Sequence, residues 1–363
     1  MEDVSRMKKL IYVLHDIKTG GVEVALLSAV PKLNKQFKLR IIVLGDIDDM
    51  LLGTLTSSER QVFYKFNFSL LLYPLIIPYL IIYILKLKPD IIVSSLWRGS
   101  MLGMIIKIFK PRVKYFAFIH NTRFFHRLDA FFTIKAIEKA DVVLTDSSSS
   151  SEFVEKLKSG ANSRIISFLT NETPILLKEL FLEKGTRIKL VFLGRLNPVK
   201  NVPLAIKSIK YLRERGLNVT LDIYGRDDGS LKDVVSAISS NKLEQFVTIK
   251  GEISPSERFV ILNEYHGLVQ FSINEGMAMS IVEAMQYGLI CFVTPVGEIP
   301  NYSKDLISAV HLVFSDNSST NIVFSKMKNV LDDQELCKRL SFNAQKTFKN
   351  RQIFADSLIQ ELL

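Results

Sequence analysis

The sequence predicts an α/β protein built from two doubly wound, Rossmann-like domains, with a C-terminal helix that packs back on the first. Three observations predict it. Short apolar runs rich in β-branched residues alternate with longer helical patterns almost from end to end, the pattern of parallel sheets covered by helices. The alternation breaks once, at the polar, proline-bearing Thr170-Asn171-Glu172-Thr173-Pro174, and then restarts. The chain of 363 residues, with 48% hydrophobic and 23% charged positions, is ordinary globular material long enough for two domains of common size.

In order, the first series places strands at residues 10–14, 39–44, 91–94, 115–119, 142–145 and 165–168. The second places them at 189–193, 218–224, 247–250, 267–271 and 290–294. Helical patterns at 22–30 and 203–211 follow the first strand of each series. In the serine run 147–151, Ser149 followed by Glu152 has the spacing of a capping box. Residues 334–363 read as helix, with Phe342, Phe348, Ile353, Phe354, Leu358 and Ile359 supplying an apolar face. The expected domains are therefore 1–172 and 173–345, with 346–363 returning toward the first.

The net charge is +10, and it is uneven: 24 basic and 16 acidic residues precede Thr173, so about +8 of the excess lies in the first half. That half is expected to face something anionic. Zinc-finger spacing, an aromatic RNA-binding signature and an arginine-rich arm are all missing from the sequence, so a membrane or phosphorylated lipid fits better than nucleic acid. Cys291 and Cys337 are the only cysteines, and Cys291 sits in a buried-strand pattern, which points away from a structural disulfide and toward a reducing cytoplasm. The start, Met1-Glu2-Asp3-Val4, is acidic and runs through Lys8-Lys9 into a short strand, unlike a signal peptide.

Residues 66–85 carry no charge and have about the length of a membrane span. Pro74 and Pro78 would interrupt a spanning helix, and a crossing there would separate the first strands from residues 91–93 of the same sheet. An ordinary buried domain helix is the expectation, with partial docking into a bilayer surface as the alternative.

The chemistry gathers in the second half. The strand at 189–193 opens into Gly194-Arg195-Leu196-Asn197-Pro198-Val199-Lys200-Asn201, which puts two cations in one loop at the carboxyl edge of a sheet, where ligands of open α/β sheets bind. Arg195 can fork onto phosphate oxygens and Lys200 supplies a compact charge; taken alone, the loop reads as a solvated turn with two surface cations. Glu275 and Glu283 bracket Gly276-Met277-Ala278-Met279-Ser280-Ile281-Val282, a carboxylate and glycine before a helix start and a second carboxylate within it. Helix-start amides bind phosphate, and carboxylates accept hydrogen bonds from sugar hydroxyls.

These motifs, with Ile223-Tyr224-Gly225, Lys250-Gly251-Glu252 and Pro295-Val296-Gly297-Glu298-Ile299-Pro300, occur in the order found in glycosyltransferases of the GT-B fold. The sequence resembles the large retaining family called glycosyltransferase group 1, or family 4, strongly over residues 190–301 and by pattern alone over the first 170. The resemblance implies two facing Rossmann-like domains. It implies that Gly194, Arg195 and Lys200 meet the diphosphate of a nucleotide sugar, that Glu275 holds sugar hydroxyls, and that the amides of Gly276, Met277, Ala278 and Met279 approach sugar and phosphates. Glu283 would bind the ribose, and the base would rest by Tyr224, Gly225, Gly251 and Ile253. Arg195, Lys200, Glu275 and His120 are the residues assigned to catalysis.

In the first domain, Gly20-Gly21 lets backbone approach a ligand but lacks the third glycine of the dinucleotide fingerprint. A plain turn is the alternative. His120 ends a strand, where it matches the cleft histidine of the family, and Arg123 and His126 are candidates for an anionic acceptor. Asp46-Ile47-Asp48-Asp49 contains an Asp-x-Asp pair that reads as a solvated loop, and no metal cage or Ser-His-Asp arrangement is expected.

The expected function is a retaining glycosyltransferase, a hexosyl- or N-acetylhexosaminyl-transferase using a UDP-linked donor. No metal or other cofactor is expected. Its acceptor would be a lipid-linked or other glycan at the cytoplasmic membrane face, in O-antigen, capsule or exopolysaccharide assembly. Alternatives are a sugar-nucleotide 2-epimerase and a non-catalytic nucleotide-sugar-binding subunit; Arg195, Lys200, Glu275 and Glu283 match the transferases better.

Overall fold

The computed structural model describes residues 6–18, 20–68, 72–174, 185–314 and 320–363; the start at Met1 to Val4 lies outside them. The chain divides into unit 1, Met1–Asn171 with Gln352–Leu363, and unit 2, Glu172–Arg351.

Unit 1 runs β1 (Lys9–Leu14), α1 (Gly21–Gln36), β2 (Lys38–Val43), α2 (Asp49–Leu52), α3 (Ser57–Arg60), β3 (Phe63–Lys65) and α4 (Tyr73–Leu87). It continues through β4 (Ile91–Ser95), α5 (Leu96–Phe109), β5 (Lys114–Ile119), α6 (Arg127–Lys139), β6 (Val142–Thr145), α7 (Ser148–Leu157) and β7 (Ser163–Ile165). The seven strands pair in parallel in the order β3-β2-β1-β4-β5-β6-β7. Winding reverses between β1 and β4, so their carboxyl ends open a crevice at the switch point. The core joins strand residues such as Ile11, Val13 and Ile92 to Leu80 and Ile84 of α4 and Leu102 and Ile106 of α5.

Unit 2 runs β8 (Ile188–Leu193), α8 (Val202–Glu214), β9 (Val219–Tyr224), α9 (Leu231–Ser240), β10 (Val247–Gly251), α10 (Pro255–Leu262) and β11 (Gly267–Gln270). Then come α11 (Met279–Gln286), β12 (Ile290–Val293), α12 (Ile299–Tyr302), β13 (Val310–His311), α13 (Thr320–Asp332) and α14 (Gln334–Phe348). Its six-stranded parallel sheet has the order β10-β9-β8-β11-β12-β13, so the switch point lies between β8 and β11.

Four expectations are corrected. The strand at 165–168 is β7 at Ser163–Ile165. Phe168 leaves the sheet to pack on Phe354, with ring centroids 5.5 Å apart, and the backbone N–H of Ser167 donates to Ser357 Oγ. The helix at 334–363 is two: α14 ends at Phe348, Asn350 takes a left-handed φ of 63°, and α15 (Phe354–Leu362) belongs to unit 1, packed on α1. The helix cap in the serine run is Ser147, whose Oγ accepts the Ser150 N–H, two residues before Ser149. Finally, residues 66–85 do not form one element: β3 ends at Lys65, α4 starts at Tyr73, and 69–71 lie outside the described residues. No helix among the described residues is long and apolar enough to cross a membrane.

Candidate active site

A cluster of polar groups lies at the switch point of the unit 2 sheet. Beyond β8, the Asn197 side chain accepts the Lys200 N–H and starts a 3-10 turn, Pro198–Lys200, which holds Lys200 at the strand end. Beyond β11, the Ile273 N–H donates to Val199 O, tying the two loops together. Lys200 Nζ then reaches Glu275 Oε1 at 2.7 Å, with side chains 16% and 8% exposed. Gln270 Nε2 donates to the same oxygen at 2.6 Å, and Ser280 Oγ donates to Gln270 Oε1. A carboxylate so placed is fixed in direction by two donors, and one oxygen remains to accept from a ligand.

The turn from Glu275 into α11 is backbone-driven. Ala278 caps the helix with φ 50°, a left-handed conformation that disfavours residues other than glycine. Gly276, Met277, Ala278 and Met279 donate their N–H groups to no acceptor among the described residues. Free N–H groups at a helix start are the chemistry that an anion takes. The loop after β12 closes from behind: Gly297 has φ 59°, and a Cβ there would stand 2.0 Å from Glu275 O. Tyr302 has a buried hydroxyl without a hydrogen-bond partner, and burial, with Glu275 nearby, holds it well above its ordinary pKa.

Three glycines meet where the strands end. Gly194 donates to Tyr224 O and Gly225 to Gly251 O, at 3.0 and 2.8 Å, and a Cβ on Gly225 would lie 1.8 Å from Gly194 O. Ile253 follows β10 in the turn to α10. Tyr224 turns its hydroxyl to Tyr265, 3.2 Å away, and Tyr265 donates to Asp222 Oδ2 at 2.7 Å. Burial first, then these two neighbours, raises the Tyr265 pKa.

Three partners escaped the sequence reading. Arg195, about half exposed, pairs with Asp228 at 3.1 Å, and Asn197 bonds the same carboxylate. Glu283 is 1% exposed and lies within 3.2 Å, by both oxygens, of Arg258 Nη1 on α10. Gln270 holds Glu275 as above. The signal that could have found α10 was Ser254 followed by Glu257, a capping box in the structure; the pairing itself joins residues 25 positions apart.

In unit 1, the His120 side chain is 4% exposed just after β5. Its Nε2 lies 3.2 Å from Ser95 Oγ, which bonds the Tyr12 hydroxyl at 2.6 Å, and its Nδ1 lies 3.4 Å from Asp146 Oδ2. Gly20 precedes α1, which begins at Gly21; a Cβ on Gly20 would stand 2.3 Å from Glu23 Oε2, so this glycine makes room for the carboxylate of the first turn. Arg123 is exposed over the Phe125 ring, and His126 caps α6 through Nδ1. Asp48 caps α2, and Asp46 lies within 3.3 Å of Lys65. No group of three or more metal-ligating side chains occurs among the described residues.

Residues 177–347 match the family model for glycosyl transferases group 1, a span that falls in unit 2. No curated protein matches the sequence. Solved structures similar to this one include Anabaena HepE in complex with UDP-glucose, at 16% identity and a TM-score of 0.77, covering 98% of this chain and 99% of that one. The lipopolysaccharide outer core galactosyltransferase WaaB aligns at 14% identity and a TM-score of 0.68, over 98% and 100% of the chains. A glycosyltransferase from Rickettsia africae aligns at 13% and 0.75, over 98% and 97%. The fold is that of the GT-B glycosyltransferases, and the family match supports glycosyl transfer as the chemistry.

Proposed function

We propose that this protein is a retaining glycosyltransferase that moves a sugar from a nucleotide sugar, UDP-linked by preference, to a lipid-linked or other glycan acceptor at the cytoplasmic face of a membrane. The product would enter a surface polysaccharide such as O-antigen, capsule or exopolysaccharide. The observation that carries this reading is the convergence of Lys200, Glu275, Gln270 and the free amides of Gly276 to Met279 at the switch point of one sheet. HepE, similar in fold, is known with UDP-glucose, which supports a uridine donor.

In this reading the amide cradle, Lys200 and Arg195 receive the diphosphate. Glu275 accepts from the sugar hydroxyls through its remaining lone pairs. The bond from the anomeric carbon to phosphate breaks as the acceptor oxygen bonds to the same face, and the leaving phosphate takes the acceptor proton. Charge grows on the diphosphate in the transition state, where each fixed donor is worth about 10²–10³ in turnover. Glu283 meets the ribose only by sharing or releasing Arg258.

The test is a panel of nucleotide sugars with lipid-linked and soluble glycan acceptors, read by mass spectrometry with and without EDTA. Acceptor-dependent product with retained configuration, undiminished by EDTA, is expected. Glu275→Ala is expected to abolish transfer and leave UDP affinity within about threefold, because the cations and amides remain. No acceptor-dependent product from any donor would overturn the reading, and an active Glu275→Ala enzyme would overturn the assigned role.

A further inference from the structure

Helix α4 is apolar around its whole circumference, and only half of it is covered. A helix of that kind belongs in a core or against lipid. Leu80 and Ile84 are buried in unit 1, with Ile77 and Ile81 packed beside them. On the other side, Leu72, Leu75, Tyr79 and Ile82 follow one another at helical spacing, and they are 46%, 75%, 57% and 54% exposed. From Tyr73 to Leu87 the only charge is Lys86.

The C-terminal end of this stripe is basic. Lys86, Lys9, Lys38 and Arg40 line a cavity of about 240 Å³ at the amino ends of β1 and β2. Lys9 Nζ donates to Leu87 O at 3.0 Å and Arg40 Nη1 to the Tyr83 hydroxyl at 3.2 Å, so two of the cations are fastened to the last turns of α4. None of the four forms an ion pair among the described residues. Asp90 accepts only the backbone N–H of Lys9 from this group.

We propose that α4 and these four cations form the surface by which the protein docks on an anionic lipid bilayer. The exposed stripe enters the interface between headgroups and acyl chains, and the basic cavity takes a lipid phosphate. The 15 residues of α4 span about 22 Å, short of a hydrocarbon core of about 30 Å, so the helix lies along the surface. Insertion of apolar side chains and attraction of unpaired cations reinforce each other in such helices. A second copy is a poorer occupant, because α4 offers no carboxylate to the cations.

This deepens the membrane part of the proposed function. Vesicle binding is read without turnover, so binding without transfer, or transfer without binding, tells which of the two has failed. The full chain is sedimented with phosphatidylcholine vesicles, with and without phosphatidylglycerol. Binding is expected only with phosphatidylglycerol and is expected to weaken as salt rises. Leu75→Gln/Ile82→Gln and, separately, Lys38→Gln/Lys86→Gln are each expected to lower vesicle affinity about tenfold or more. Both should leave thermal unfolding and transfer to a soluble acceptor unchanged. Inorganic phosphate at millimolar concentration is expected to compete weakly, and full displacement by it would show a free-phosphate site instead. Absence of wild-type binding, or equal binding by the Gln variants, overturns the proposal. So does a wild-type dimer that the stripe variant converts to monomer with vesicle binding intact.

Discussion

At the scale of single residues, unit 2 places two of its carboxylates, Glu275 and Glu283, in buried pairs. Glu283 is almost fully enclosed, and one nitrogen of Arg258 reaches both of its oxygens while Arg258 Nε is buried without an acceptor. Removing one member of a buried pair leaves the other charge uncompensated, at a cost of about 3–5 kcal/mol. Arg258→Ala is therefore expected to lower the unfolding free energy of unit 2 by that order, read by denaturant titration. Adding Glu283→Gln to the same chain should restore part of it, because the orphaned charge is gone. A loss below about 1 kcal/mol, as for a surface pair, would show that the pair is solvated in solution. The glutamates at 275 and 283 were legible in the sequence from their spacing around a helix start. Arg258, Gln270 and Asp228 were not, since a pair across a sheet edge leaves no periodic trace in the chain.

At the scale of elements, the site is made by strand ends and the turns that follow them. The backbone at Glu275 is backed by the loop after β12, which passes close to its carbonyl at Gly297, in the left-handed region. Gly297→Ala adds a methyl group into the Glu275 carbonyl and must push the loop forward. A displacement near 1 Å at a reacting centre costs about 10²-fold in rate, so turnover is expected to fall by that order while the variant still folds. Gly216→Ala is the control: its φ of 85° brings backbone strain, but no atom lies within 4 Å of the added carbon. A Gly297→Ala enzyme as active as the control would detach this loop from the catalytic geometry. Strands were readable as apolar runs, except where Phe168 served a helix instead of the sheet and at the edge strands β3 and β13, which the sequence reading missed because three and two residues are too short to show as an apolar run. Helix α4 was harder, because uniform apolarity gives periodicity no phase and hides which face is covered.

At the scale of the whole molecule, the chain visits unit 1, builds unit 2 and returns. In α15, Phe354, Leu358 and Leu362 are buried, and Phe354 stacks on Phe118, with centroids 6.1 Å apart. Lys32 of α1 bonds Asp356 at 2.7 Å. Burying each large apolar side chain contributes about 1.5–3 kcal/mol, so a chain ending at Arg351 should lose the cooperative folding of unit 1 and keep unit 2. Limited proteolysis is expected to digest unit 1 quickly and leave a unit 2 fragment. Equal resistance of both units in the shortened chain would make α15 dispensable.

The sequence by itself determined the α/β rhythm, the break near residue 171, and the loops that carry Arg195, Lys200 and Glu275. These follow from local hydrophobic patterns and from turn chemistry that neighbouring residues enforce. Only the tertiary structure decided that the last helix breaks from α14 at Asn350, that Lys200 and Gln270 share Glu275, that Arg258 encloses Glu283, and that one face of α4 is left bare. Each of these depends on which distant segments come together to exclude water, a choice made by packing across the whole chain.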